Sequence, residues 1–154
     1  MALTLALYQP DIPQNAGTML RACACFGVRA ALIEPAGFPT SDRHFRRAGM
    51  DYLDHVEIDR HVSFAAFEVW RRAAGRRLVL LTTSGDLHLA DFAFHDTDVL
   101  MVGRETAGVP AHVHDAADAR LRIPVRAGLR SLNVALAAGM VLFEALRQTG
   151  GFPP

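Results

Sequence analysis

Leu121-Arg122-Ile123-Pro124-Val125-Arg126-Ala127-Gly128-Leu129-Arg130-Ser131-Leu132-Asn133-Val134 is the stretch on which the fold turns. A short apolar run stops at Ile123-Pro124, a loop carrying one glycine and two arginines follows, and Ser131 opens a helical pattern that runs to Gln148. Leu132, Leu136, Gly139, Phe143 and Leu146 recur along one side of that helix, Gly150-Gly151 ends it, and Ser131 is of the right type to cap its start. This is strand, loop, helix. The segment 100–110 repeats the plan, and further apolar runs at 3–8, 30–33, 56–58 and 78–82 alternate with helical patterns at 14–26 and 63–75. Continuous apolar strands alternating with helices predict an α/β fold, a single domain over 1–154 with a mainly parallel sheet flanked by helices.

The position of the glycines narrows the choice. A dinucleotide-binding or ordinary methyltransferase sheet carries a glycine-rich turn directly after its first strand. Here that turn is Gln9-Pro10-Asp11-Ile12-Pro13, which has none, and no phosphate-cradling Gly-Lys-Ser/Thr loop occurs. The glycine-bearing loops fall late, at 103–110 and 124–132. Both follow strands and so lie at the carboxyl edge of the sheet, where open α/β sheets bind ligands.

Hydrophobic residues make up 51% and charged residues 21% of the 154, which excludes a disordered chain. No apolar run reaches the roughly 18 residues of a membrane span, and the start of the chain carries neither a basic leader nor a small-residue cleavage site. A cytoplasmic protein without membrane contact is expected. Cys23 and Cys25 are two apart on a helix, cannot readily pair with each other and are expected to be small core residues. His112 and His114 lack nearby cysteines or clustered carboxylates, so no metal site is expected. Net charge is zero, which argues against binding nucleic acid through a bulk positive field. All 16 cations are arginines, however, whose planar forks suit phosphate. They cluster at Arg43/Arg46/Arg47, Arg71/Arg72/Arg76/Arg77 and Arg122/Arg126/Arg130.

Three segments carry the chemistry. In Asn15-Ala16-Gly17-Thr18-Met19-Leu20-Arg21, Gly17 and Arg21 share a helix face, leaving space for a substrate backbone beneath a five-donor guanidinium. In 100–110, a buried strand ends at Gly103, and Gly108 precedes Val109-Pro110, a loop able to expose backbone amides and carbonyls. In 121–134, the loop can wrap a ligand while Ser131 hydrogen-bonds to it.

Taken in order, these segments resemble the three motifs of the SPOUT superfamily of RNA methyltransferases, over about residues 3–148. Ile33-Glu34-Pro35 and Arg46-Arg47-Ala48-Gly49-Met50-Asp51-Tyr52, with the compact length and the lack of an added RNA-binding domain, resemble the subfamily that 2′-O-methylates the wobble cytidine or uridine of certain tRNAs. The resemblance implies a C-terminal deep trefoil knot over about 78–150. It implies S-adenosylmethionine as methyl donor, held by Leu81, Gly103, Ile123, Ser131 and Leu132. It also implies a homodimer whose active site draws on both subunits and receives a tRNA anticodon stem-loop, not DNA. Arg21 matches the family's catalytic position. Because arginine keeps its proton, Arg21 is expected to orient the ribose hydroxyl or its phosphate, with Asn15 fixing the geometry. Arg43, Arg46 and Arg47 are the expected phosphate contacts. Relatives often carry tyrosine where this chain has Phe143, so a phenol contact there is lost. Two other readings are open: methylation of another tRNA position or of ribosomal RNA, and a non-catalytic dimeric RNA-binding module.

Overall fold

The apolar runs form one seven-stranded sheet in the computed structural model, which describes residues 2–154. The strands are β1 (Thr4–Tyr8), β2 (Arg29–Ile33), β3 (Ile58–His61), β4 (Leu78–Leu81), β5 (Leu87–His88), β6 (Val99–Val102) and β7 (Ala119–Arg122). Their spatial order is β3-β2-β1-β6-β4-β7-β5, and every pairing is parallel. The helices are α1 (Pro13–Phe26), α2 (Asp42–Arg47), α3 (Phe64–Ala73), α4 (Ala111–Ala116) and α5 (Val134–Thr149).

Alternation along the strands divides the core in two, as a pleated sheet requires. Leu5, Leu7, Leu32, Leu100 and Leu121 face α1 and α5, packing against Met19, Leu20, Val141 and Leu142. Ala6, Ile33, Leu80 and Met101 face the other way, against Phe67 of α3 and Val113 of α4. Both faces of the central strands are therefore covered, which explains why those strands are apolar at nearly every position, Thr4 of β1 being buried with its hydroxyl bonded to Arg76.

Several expectations need correction. β3 runs over Ile58–His61, later than the 56–58 run, because at the sheet edge it carries the polar pair Asp59-Arg60. β5 has only two residues and escaped notice for want of an apolar run. Ser131 does not cap α5. Asn133 does, its side-chain oxygen accepting from the amides of Ala135 (2.9 Å) and Leu136 (3.1 Å). The side of α5 that carries Leu136 and Phe143 faces outward, these two being 56% and 53% exposed, while Ala138, Val141, Leu142 and Ala145 fill the core. Cys23 is a core residue whose burial pushes its thiol up to about 12, but Cys25 is exposed. Three of the four Arg71/Arg72/Arg76/Arg77 guanidiniums are consumed by the fold. Arg71 pairs with Glu68 and Asp118, Arg76 donates to the Thr4 hydroxyl, and Arg77 pairs with the buried Asp98 at 2.7 Å.

The connection between β4 and β5 positions the site. These strands are consecutive in the chain, yet β7 lies between them, so the 82–86 connection crosses β7. The crossing is tight. A Cβ on Gly85 would lie 2.5 Å from the Leu121 carbonyl carbon and 2.8 Å from the Arg122 nitrogen. The Thr82 amide donates to the Leu121 carbonyl at 2.9 Å, and Arg122 reaches the Gly85 carbonyl at 3.3 Å. Gly85→Ala should therefore force two backbones apart and cost about 1–3 kcal/mol. The urea midpoint is expected to fall with an unchanged m-value; an unaltered midpoint would show that the crossing can relax.

Candidate active site

Strands β4, β6 and β7 lie side by side and end together, Leu81 pairing with both Val102 and Leu121. Above their carboxyl ends opens a cavity of about 940 Å³, within the range of small-molecule sites. Its wall brings together Leu81, Gly103, Ile123, Ser131, Leu132 and Asn15, residues contributed by four separate parts of the chain.

Local chemistry shapes each wall. After β6 the chain doubles back in a narrow hairpin: the Arg104 amide donates to the Gly108 carbonyl at 3.0 Å and the Gly108 amide to the Arg104 carbonyl at 2.8 Å. A Cβ at Gly103 would lie 2.7 Å from the Gly108 carbonyl carbon, so only glycine allows this approach. Asp11, in the turn after β1, holds the hairpin by accepting from the Glu105 amide at 3.2 Å and from the Thr106 hydroxyl. On the opposite wall, Asn133 caps α5 with its oxygen and donates through its amide nitrogen to Asn15 at 3.1 Å. Asn15 is thus fixed to Asn133, and no hydrogen bond joins it to Arg21. Arg104, Arg122, Arg126 and Arg130 also line the cavity, and Glu105 is the only acid among the lining residues. Burial, then the neighbouring Asp11, raises the Glu105 carboxyl above its ordinary range. Hydrogen bonds from Glu105 and then Thr106 hold Asp11 below its own.

Arg21 is not on this wall. It projects from the exposed side of α1, its guanidinium 5.7 Å from the centre of the Tyr52 ring. The Tyr52 hydroxyl donates to the Gly17 carbonyl at 2.5 Å. The space expected beside Gly17 is therefore taken by a phenol that braces the Arg21 face, and its own titration is raised by burial, against the pull of Arg21. Arg43, Arg46 and Arg47 are exposed on α2, and Arg46 is paired with Asp54 at 2.9 Å.

A second depression, of about 960 Å³, lies over α1 and α5 between Thr18, Ala22, Leu136, Gly139, Met140 and Phe143. It shares Asn15, Ile123, Pro124 and Asn133 with the first, so the apolar face of α5 runs directly into the cavity. The Phe152 ring, 5.0 Å from Phe143 and 6.0 Å from Phe26, extends this face. Among the described residues no group of three His, Cys, Asp or Glu side chains could hold a metal ion, and no helix is long and apolar enough to cross a membrane.

Tyr52, Glu105, Asp11 and Asn133 are structural participants that the sequence did not single out for their roles. The Asn133 cap was open to recognition, since asparagine is as good an N-cap as serine. Nothing in the spacing of Asp11 and Glu105 announces their contact.

An open parallel sheet with a glycine-walled cleft at its carboxyl edge, its backbone approached closely by a late hairpin, defines the class of α/β ligand-binding proteins whose chemistry sits on loops. Within that class the chain belongs to the SpoU rRNA Methylase family, whose pattern matches residues 2–143. It is 68% identical over 146 residues, 95% of this chain and 91% of the relative, to a protein of Beijerinckia indica subsp. indica named tRNA (cytidine(34)-2′-O)-methyltransferase. Among solved structures, one described as giving structural insights into the 2-OH methylation of C/U34 on tRNA matches with a TM-score of 0.86 and 41% identity, over 96% of this chain and 95% of that one. The SpoU methyltransferase AviRb from Streptomyces viridochromogenes, in complex with the cofactor AdoMet, matches with a TM-score of 0.83 and 29% identity, over 96% of this chain and 60% of that one.

Proposed function

We propose that this chain is a homodimeric enzyme that transfers a methyl group from S-adenosylmethionine to the ribose 2′-hydroxyl of cytidine or uridine 34 in the tRNA anticodon loop. The observation that carries the proposal is the 68% identity to the Beijerinckia protein across 95% of the chain, with the cleft in place. The cleft suits the donor. The 103–108 hairpin offers backbone groups to an adenine edge or amino-acid tail, and the arginines around it suit the donor's carboxylate and an RNA phosphate. Leu81, Gly103, Ile123, Ser131 and Leu132 are assigned to donor binding. The crossing of 82–86 over β7 supports a trefoil knot in the 78–150 region.

When bound, the donor supplies a sulfonium methyl already activated for in-line displacement. The protein's task is to hold the hydroxyl in line, and positioning of this kind can contribute about 7–11 kcal/mol. Held in line, the hydroxyl oxygen would displace the donor's sulfur at the methyl carbon, the sulfur keeping the electron pair of the broken bond and the hydroxyl proton leaving to water. Arg21 orients the hydroxyl or its adjacent phosphate and stabilises the developing negative charge. Its place outside its own cavity, beside an apolar depression that opens into that cavity, supports delivery from the partner subunit. Arg43, Arg46 and Arg47 receive backbone phosphates of the single-stranded loop, where 2′-hydroxyls are free.

Incubation with labelled donor and total tRNA, followed by mapping of the labelled nucleotide, tests the proposal. Label on the 2′-oxygen of nucleotide 34 is expected. Label on a base removes the ribose assignment, label on another nucleotide moves the target, and bound donor without label marks a non-catalytic module.

A further inference from the structure

We propose that Asp11 and Glu105 form a carboxyl pair sharing one proton, which latches the 104–108 hairpin against the turn after β1 and so holds the donor cavity in shape. This inference rests on the methyl-donor reading of that cavity. Both Glu105 carboxyl oxygens are buried and receive no hydrogen bond from any donor. The groups beside them are the Asp11 carboxyl and the Asn15 side chain. Asp11 is already engaged, one oxygen taking the Glu105 amide and the other the Thr106 hydroxyl.

Two ionised carboxylates in this contact would repel, and a buried charge without a donor is costly. A single proton between them removes both penalties and adds an O–H···O⁻ hydrogen bond, among the stronger kinds. Asp11, with two neutral donors, keeps the charge, and buried Glu105 keeps the proton. The directions in which the two carboxyls are displaced agree with this division, Asp11 downward and Glu105 upward. Arg104, Arg122, Arg126 and Arg130 line the same cavity, but no guanidinium hydrogen-bonds to either carboxyl: the Glu105 oxygens have no partner, and those of Asp11 take the Glu105 amide and the Thr106 hydroxyl. The neighbouring Arg104 guanidinium lies 5.7 Å from the Tyr8 ring centre, and Thr106 and Asn15 are neutral. Asn15 in turn reaches Asn133, so the pair joins the turn after β1, the hairpin after β6 and the start of α5. Glu105, itself a lining residue, acts here by positioning the hairpin wall of the cavity.

The sign of the pH dependence follows. The latch needs the protonated carboxyl, so it is complete below the raised Glu105 value and weakens as pH rises through it. Donor affinity is measured by calorimetry on the intact protein from about pH 5.5 to 9 for the wild type, Glu105→Ala and Glu105→Gln. Glu105→Ala is expected to weaken donor binding about tenfold or more, and to raise the donor KM more than it lowers kcat. Glu105→Gln, whose amide donates in place of the acid, is expected to rescue most of that loss and to flatten the pH dependence. A glutamine variant as weak as the alanine one, or one with the wild-type pH slope, overturns the latch. Hydrogen exchange at the Glu105 and Gly108 amides gives a readout without donor: opening that grows with pH in the wild type and not in Glu105→Gln is expected, and equal behaviour overturns the proposal. If the wild type binds no donor, the cavity reading falls, and exchange still decides the latch.

Discussion

Arg21→Ala should lower methyl transfer by about 10²–10³-fold, the usual loss on removing one preorganised donor to a developing oxyanion, while donor affinity stays unchanged. The separation follows from the geometry. Arg21 does not line its own cavity, so its removal leaves the donor's surroundings intact. Arg21→Lys keeps the charge but loses the planar fork, and should recover only part of the rate. Near-normal turnover in both variants would dismiss the role. Subunit mixing asks the sharper question of where Arg21 works. Gly103→Val places a side chain against the Gly108 backbone and should destroy donor binding, leaving Arg21 untouched. A mixed dimer of Arg21→Ala with Gly103→Val then contains one site with both the intact cavity and the intact arginine. Random reassortment makes half the dimers mixed with one working site in each, so activity should return to about a quarter of wild type. A mixture no more active than its parents would put Arg21 in its own subunit's site.

How far the sequence leads depends on the kind of interaction. The central strands were legible because burial on both faces makes them continuously apolar, as in Val99–Val102. Gly103 was legible as a late glycine because its backbone approach to Gly108 requires it, whereas Gly85, which meets Leu121, lies outside the glycine-bearing loops the sequence pointed to. The edges were poorly legible. β3 reads as polar since one side of it has no neighbouring strand, and β5 is too short to show a period. Contacts across long sequence separations left no trace. Asp11 and Glu105 lie 94 residues apart, and Asn15 and Asn133 lie 118 apart, so neither pair has a spacing that a local pattern could reveal. Arginine clusters misled for a related reason. Arg71, Arg76 and Arg77 look like a phosphate site, but their partners Asp118, Thr4 and Asp98 come from distant strands and turns. Helical spacing on α5 misled too, because a helix that is apolar nearly all round does not say which side meets its own core.

That outward side carries the second large effect. Leu136 and Phe143 are 56% and 53% exposed, Met140 lies between them, and Phe152 adds a further ring, an apolar surface that a water-exposed protomer would not keep without use. Gly139 adds no side chain at its centre, which lets another helix approach closely. In a two-fold dimer each substitution is met twice, and an unpaired carboxylate buried in such a face costs several kcal/mol. The proposed dimer predicts that the double variant Leu136→Asp, Phe143→Glu should sediment as a monomer at concentrations where the wild type sediments as a dimer. The dissociation constant should rise by about 100-fold or more. Within the protomer both side chains point away from the core, so circular dichroism and thermal melting at low concentration should change little. Methyl transfer should fall with the loss of dimer, since the monomer cavity lacks a guanidinium on α1 to face the hydroxyl. A monomeric variant that methylates tRNA at the wild-type rate would mean that one chain holds the whole active site, and a variant that stays dimeric would mean that the partner is seated elsewhere.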